Sequence, residues 1–417
     1  MIHSLNKYLI ILFPIFLVIG PALSDIVVSV LSISYIYICF KEKYYDDFQI
    51  WIVKLLIIFW LYCISRSILS EDLLLSLESS LFYGRFIFFA LAIKYYLIKY
   101  TELSKYFGII IWGTVLFVTF DALYQFLFGY NILNYKSDEY RISGIFGDEY
   151  VLGAFLSRLL PFCFYFIAIQ KNIRGLIFLF AMLFIILVDI LIYLAGERTA
   201  FIYLILSTVI IVVLTQRYRL IRSVAFIISL SLIFFTTFSL PNVKKRMVDY
   251  TLEQIGVSEK SEKIYFFSIK HQQHFESAFL MFKENIIFGQ GPKLFRKLCE
   301  YPEYETGGCS THPHNIYIQL LAETGIIGFI FIFILFILII CILFINFFYL
   351  IFKFNNQKKY LTLNDSTVCL LACFFVSLWP FVPTGSFFTN WTNAIMYLPL
   401  GFYLYERRNL LNKDNKY

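Results

Sequence analysis

Side chains suited to chemistry gather most densely in Thr311–Gly328, THPHNIYIQLLAETGIIG. Pro313 and Asn315 suit a helix start, and the apolar run behind them points into a membrane. His314 then stands where free backbone N–H groups and the positive end of the macrodipole converge. That end disfavours imidazolium, so the ring stays neutral and able to accept a proton. The same end attracts phosphate oxygens. A base and an anion site therefore coincide, with His312 and Asn315 on either side. The plain alternative is that His312 and His314 only cap the helix.

Two arginines fit beside this histidine. Arg198 lies in Gly196-Glu197-Arg198-Thr199-Ala200, between two apolar blocks, and Arg141 opens RISGIFGDEYVLG. The guanidinium fork suits bidentate phosphate recognition. Each alone serves equally as an interfacial anchor; two on the same side as His314 point to an anion site. Ionisable residues inside apolar blocks are costly and default to function. At 1.5 Å per residue, Asp121 and Asp189 lie roughly 10 Å deep, Arg158 and Glu323 roughly 13 Å, and Arg85 roughly 18 Å. The matching depths predict that Arg158 pairs with Asp121 or Asp189 as a structural bridge. Gly325 and Gly328 permit close helix packing.

The elements that position these residues follow from composition. Of 417 residues, 60% are hydrophobic and 15% charged, where a soluble domain carries about a quarter charged. The apolar residues arrive in blocks of about twenty, enough to cross a hydrocarbon core of roughly 30 Å. They fall near 8–23, 25–40, 50–67, 73–96, 107–128, 149–170, 175–195, 199–215, 221–240, 315–351, 366–385 and 389–405. The reading is an all-α polytopic membrane protein of about twelve spans. Residues 1–240 carry the first nine, 241–314 form a loop domain, and 315–417 carry the last three and a tail. The first block, with little charge before it and a span directly after, reads as a retained helix rather than a signal peptide.

Lysine and arginine bias sets the orientation. With the N-terminus cytoplasmic, the inner segments hold Lys7, Lys41, Lys43, Lys94, Lys99, Lys105, Lys171, Arg174, Arg217, Arg219, Arg222, Lys353, Lys358, Lys359, Arg407, Arg408, Lys413 and Lys416. The short outer loops hold only Arg66, Lys136, Arg141 and Arg198, so the count is 18 against 4. Both termini are then inside, and His314 faces outward. The net charge of +7 comes as short clusters between blocks rather than one stripe, which argues against nucleic acid.

The long loop 241–314 is outside in this topology. Within it, 271–287 has apolar residues at Phe275, Ala278, Phe279, Phe282 and Ile286, near a helical period. It reads as a helix on the membrane surface or over the outer face. Six cysteines lie inside apolar blocks, where they act as small hydrophobes. Cys299 and Cys309 alone lie in the loop, and an oxidising compartment would let them close a small ring. Their spacing matches no common zinc pattern, even with His312 and His314 nearby. FGQGP at 288–292 resembles a turn, but with no strand before it a dinucleotide site is excluded.

His314-Asn315, nine residues, Gly325, two residues and Gly328 together resemble the H-N-x9-G-x2-G motif of the O-antigen ligase and polymerase family. GQGPKLF (Gly289 to Phe295) is similar to that family's G-x-G-P-x-x-F, RISGIFG to its R-x-x-G-x-F segment, and GERTA to its S-R-G-A segment. The chain departs at Glu149-Tyr150, where the family commonly has Pro-Asn, and at Glu197-Arg198-Thr199, where it has Ser-Arg-Gly. The arginine is kept in each neighbourhood. The resemblance implies a GT-C-type membrane glycosyltransferase that moves a glycan from undecaprenyl diphosphate to an acceptor in the periplasm, at the bacterial inner membrane, without metal or other cofactor. It further implies His314 as the base on the acceptor hydroxyl and Arg198 and Arg141 on the diphosphate, with His312 and Asn315 adjoining. Glu323, Glu197 and Arg85 would support them from behind. Within the family the motif spacing looks like the ligase form, whose acceptor is the lipid A core. An O-antigen polymerase and a protein O-oligosaccharyltransferase share the same histidine-plus-arginine site. A transporter or flippase of the same lipid-linked glycan is disfavoured, because no repeated halves are visible and the charges sit at the outer mouth.

Overall fold

The computed structural model describes residues 2–170, 175–217, 219–257, 267–352 and 363–414. Lys171, Arg174, Lys353, Lys358, Lys359 and Lys416, part of the basic count above, lie outside the described residues, as does the side chain of Lys413. Among the described residues before 240, the α-helices are α1 Ile2–Ile19, α2 Pro21–Glu42, α3 Trp51–Ile68, α4 Leu73–Lys99, α5 Leu103–Phe128, α6 Leu152–Ala168, α7 Gly175–Leu194, α8 Arg198–Leu214 and α9 Arg219–Ser239. The 241–314 segment holds α10 Pro241–Lys244, α11 Tyr250–Gln254, α12 Ile269–Glu284 and α13 Phe295–Leu298, with a π-helical turn Lys245–Asp249 joining the first two. Then follow α14 Ile316–Phe352, α15 Asp365–Ser377 and α16 Asn390–Asp414.

Seven of these helices, α1 to α5, α9 and α14, are long and apolar enough to cross a membrane. Four shorter apolar helices accompany them, in α6, α7, α8 and α15. The chain is an all-helical, multi-pass membrane protein; among the described residues the only β pairing is the isolated bridge Tyr130–Lys136. Of the seven long apolar helices α4 is the most enclosed, held by α2, α3 and α16, while α6, buried over nearly its whole length, packs on α8 and α15, and α7 on α9. Tyr83 of α4 shows how the aromatics fill this interior: it meets Phe59, Phe387 and Tyr397 at centroid distances of 5.9, 5.5 and 6.0 Å.

Three departures from the sequence reading shape the site, each for a local reason. The first two helices part at Gly20, whose φ of 153° precedes Pro21 at the head of α2. The block expected at 366–385 stops being helical at Ser377, because Pro380 and Pro383 lack an N–H and constrain the residues before them. The freed segment 378–389 becomes a loop that lines the site. α14 is interrupted at Gly325, whose φ of 63° and ψ of −169° suit only glycine.

That interruption is stitched by the turn 286–291. Ile326 and Ile327 donate to the carbonyls of Ile286 and Ile287 (2.9 and 3.4 Å), and Gln290 and Gly291 donate to those of Ala322 and Glu323 (2.9 and 2.8 Å). A Cβ on Gly325 would collide with the Ile287 carbonyl, and one on Gly289 with the backbone of Thr324 and Gly325. Arg66 on α3 donates to Phe288, Gly289 and Leu69 carbonyls, and the Tyr62 hydroxyl donates to Thr324. The close packing expected of Gly325 is therefore with a loop rather than another helix.

The predicted pairing of Arg158 is overturned. Asp189 is held by Arg222 through two bonds of 2.6 and 3.0 Å and by Ser229 at 2.9 Å, with Thr208 also on Arg222. Asp121 instead accepts from Ile132 N–H (3.1 Å) and Asn131 (3.4 Å), fastening the 129–136 turn. Depth along a helix says nothing about the direction a side chain faces, and both carboxylates face other elements. Arg85 also lies away from the site: it pairs with Asp25 at 2.5 Å and stacks over Phe86.

Candidate active site

His314 precedes α14, and its backbone takes a left-handed φ of 58°, uncommon for a residue with a side chain. Its carbonyl accepts the Thr384 N–H at 2.8 Å, tying it to the 378–389 loop. Asn315 is the cap that makes this possible. Its Oδ1 accepts from Tyr317 and Ile318 N–H (3.0 and 3.2 Å), and its Nδ2 donates to Pro380 (2.7 Å). Asn315 is thus spent on the fold rather than on substrate, because a helix start needs its N–H groups satisfied.

Four of the five histidines meet here. The ring of His314 lies 4.2 Å from that of His312, 5.2 Å from His274 and 5.3 Å from His271. His312 Nε2 donates to the Thr384 carbonyl at 3.2 Å, and its Nδ1 takes the Thr311 hydroxyl at 2.9 Å. Burial pushes the His314 imidazolium down to about 3, with the neighbouring histidines lowering it further, and burial pushes His312 down to about 4. Both rings are neutral at pH 7. The neutrality expected at a helix end is present, but loss of water is its leading cause. Among the described residues no three His, Cys, Asp or Glu side chains are placed as metal ligands.

The histidines open on a cavity of about 1550 Å³, larger than the roughly 300–1,000 Å³ of a small-molecule site. Arg141, Arg158, Arg198 and Arg246 all line it. Arg198, the first residue of α8, donates to Gln254 at 2.7 Å. Arg141 stacks 4.2 Å over Tyr150, and Arg246 donates to the Gly196 carbonyl at 3.1 Å. Gly196 leaves room between the last two, since a Cβ there would press on the Cγ atoms of both. None of the four arginines joins an ion pair among the described residues. Glu197 is close, but its carboxylate accepts Gly153 and Ala154 N–H at the head of α6 (2.7 and 3.2 Å). Burial raises Glu197 to about 7, so it is only partly charged near neutrality. The cavity is therefore a basic chamber, with apolar Ile19 (65% exposed) and Phe381 (59% exposed) on its lining.

Part of this chamber lies in a stretch that resembles a known family. Residues 181–333 match the family model described as O-antigen ligase. The matched stretch is an O-antigen ligase family domain. No curated protein matches the chain. The O-antigen ligase match supports glycan ligase or polymerase chemistry in general, and it takes in Glu197, Arg198, Arg246 and all four clustered histidines.

Of the residues singled out in sequence, His314, His312, Arg198, Arg141, Glu197 and Arg158 share the chamber. Glu323 does not line it; fully buried, it accepts the Phe295 N–H (3.2 Å) and the Gln319 amide (3.0 Å). Cys299 and Cys309 are joined, with Cα atoms 5.2 Å apart, in the segment between α12 and α14. The sequence reading missed His271, His274, Arg246 and the 378–389 loop. HQQH on a helix was a visible signal, since residues three apart share a face; Arg246 carried none beyond its charge.

Proposed function

We propose that this protein is an O-antigen ligase, transferring a glycan from undecaprenyl diphosphate to the lipid A core at the periplasmic face of the bacterial inner membrane. The reading includes a GT-C-type bundle of about twelve spans, both termini cytoplasmic, and 241–314 as the periplasmic segment. One observation carries it: a neutral histidine and a set of unpaired arginines converge on one chamber large enough for a lipid-linked sugar.

The chemistry follows from those groups. The acceptor hydroxyl gives its proton to His314 as its oxygen bonds to the anomeric carbon of the donor. The bond from that carbon to the diphosphate oxygen breaks, and the diphosphate leaves with both electrons. Arg141, Arg198 and Arg246 hold it and take up the charge that grows on the leaving oxygen. A ring neutral down to about pH 3 is always free to accept but is a weak base. A diphosphate brought beside it favours imidazolium, so the donor itself raises the basicity of His314. Cys299–Cys309 would hold the segment before His314 in the oxidising periplasm.

Replacing His314 with alanine tests the assignment. At normal membrane level, the variant is expected to lose long-chain lipopolysaccharide while long glycan accumulates on undecaprenyl diphosphate. Single repeat units on both carrier and core would indicate a polymerase instead. Unaltered lipopolysaccharide and periplasmic glycoproteins would remove His314 from the chemistry.

A further inference from the structure

Arg158 is the chamber residue that the sites above leave without a purpose. It lies six residues into α6, about 9 Å beyond its start, whereas Arg141, Arg198 and Arg246 sit in turns or at a helix head. It is 8% exposed and lines the chamber. No carboxylate pairs with it among the described residues, and its Nε is buried without a hydrogen-bond partner. Its guanidinium carbon lies 5.0 Å from the ring centroid of buried Tyr203, the aromatic it stacks on. The two carboxylates at similar depth are engaged with Arg222 and with the 129–136 turn. An uncompensated guanidinium in a membrane interior is costly, and such residues mark ligand paths. The chamber is thus basic at two levels: three arginines at the end of the bundle and one below them.

Two levels of positive charge suit an anion with two charged centres set one above the other. We infer that Arg158 is an inner anion subsite that takes the lipid-side phosphate of the donor, while Arg141, Arg198 and Arg246 take the sugar-side phosphate. The inference rests on the ligase reading and extends it: Arg158 makes the chamber choose a lipid diphosphate over a lipid monophosphate. That choice matters to a transferase whose leaving group is the diphosphate, because a monophosphate carrier in the same membrane would otherwise occupy the site.

The test compares undecaprenyl diphosphate with undecaprenyl phosphate as ligands of the purified full chain in nanodiscs. The unmodified protein is expected to prefer the diphosphate. Arg158→Gln should weaken diphosphate binding by about 10- to 100-fold, the range of a lost charge-assisted contact, and leave monophosphate binding nearly unchanged. Tyr203→Phe, which keeps the ring, should retain the preference. If Gln is not tolerated, Arg158→Met removes the buried charge and keeps a side chain over Tyr203, with the same expectation. A preference that survives either variant, or an equal loss of both lipids from folded protein, would overturn the subsite and leave the ligase reading standing. Binding of neither lipid by the unmodified protein would instead overturn the reading on which the subsite rests.

Discussion

His314 has two properties that pull against each other. Its backbone is held in a left-handed conformation by a capped helix and a hydrogen-bonded loop, and its ring is kept neutral by burial among three other imidazoles. On the proposed reading the first orders the base, and the second keeps it weak until the donor's anion arrives. The pH dependence should show this. In the free protein His314 and His312 gain protons only near 3 and 4, so neither ring should add an acid limb to kcat/KM near 6.5, where an ordinary histidine titrates. At saturating donor the acid limb of kcat should lie at higher pH than that of kcat/KM, because bound diphosphate stabilises imidazolium. Rates of transfer measured from pH 4 to 8, at low and at saturating donor, check both; an acid limb of kcat/KM centred at 6.5 that persists in Glu197→Gln, which removes the chamber carboxyl raised to about 7, would contradict the buried cluster.

The element that matters most to the site is a helix that stops and restarts. The short first part of α14, Ile316 to Thr324, stands apart from the long span behind it because Gly325 turns the chain. The turn 286–291 fills the break, so α12 and the GQGPKLF run are fastened directly to the helix that follows His314. Gly325→Ala should cost about 1–3 kcal/mol for its backbone alone, and more because the new Cβ meets the Ile287 carbonyl. The expected result is a lower melting temperature in detergent with activity lost in step. An alanine variant as stable as the parent would mean that α14 can run on unbroken.

Across the whole molecule, charges divide by whether they are paired. Lys94 meets Asp47, Arg222 meets Asp189, Lys293 meets Glu78 and Lys297 meets Asp72, all away from the chamber. The arginines that line the chamber have no such partners among the described residues. The paired set holds helices together, as Arg222 does for α7, α8 and α9 through Asp189 and Thr208. Removing one partner strands the other, a loss of about 3–5 kcal/mol for a buried pair. Asp189→Asn should therefore unfold at clearly lower temperature, yet its folded fraction should bind donor lipid as the parent does. A binding defect at unchanged stability would place Asp189 in the site instead of the scaffold.

The class of the elements was legible from composition, because crossing hydrocarbon demands long apolar helices whatever their arrangement. That His314, Arg198 and Arg141 line one chamber agrees with the sequence reading, which grouped them because a histidine beside guanidinium groups is a pattern visible in residue types. What sequence could not tell was direction. Arg158 and Asp189 lie at matching depths yet point to different neighbours; Asn315 and Glu323 flank the motif histidine yet face the fold. His271, His274 and Arg246 reach the chamber only because the 241–314 segment folds back over the bundle. Side-chain direction and long-range return are set by packing between elements far apart in the chain, and only the tertiary structure decides them.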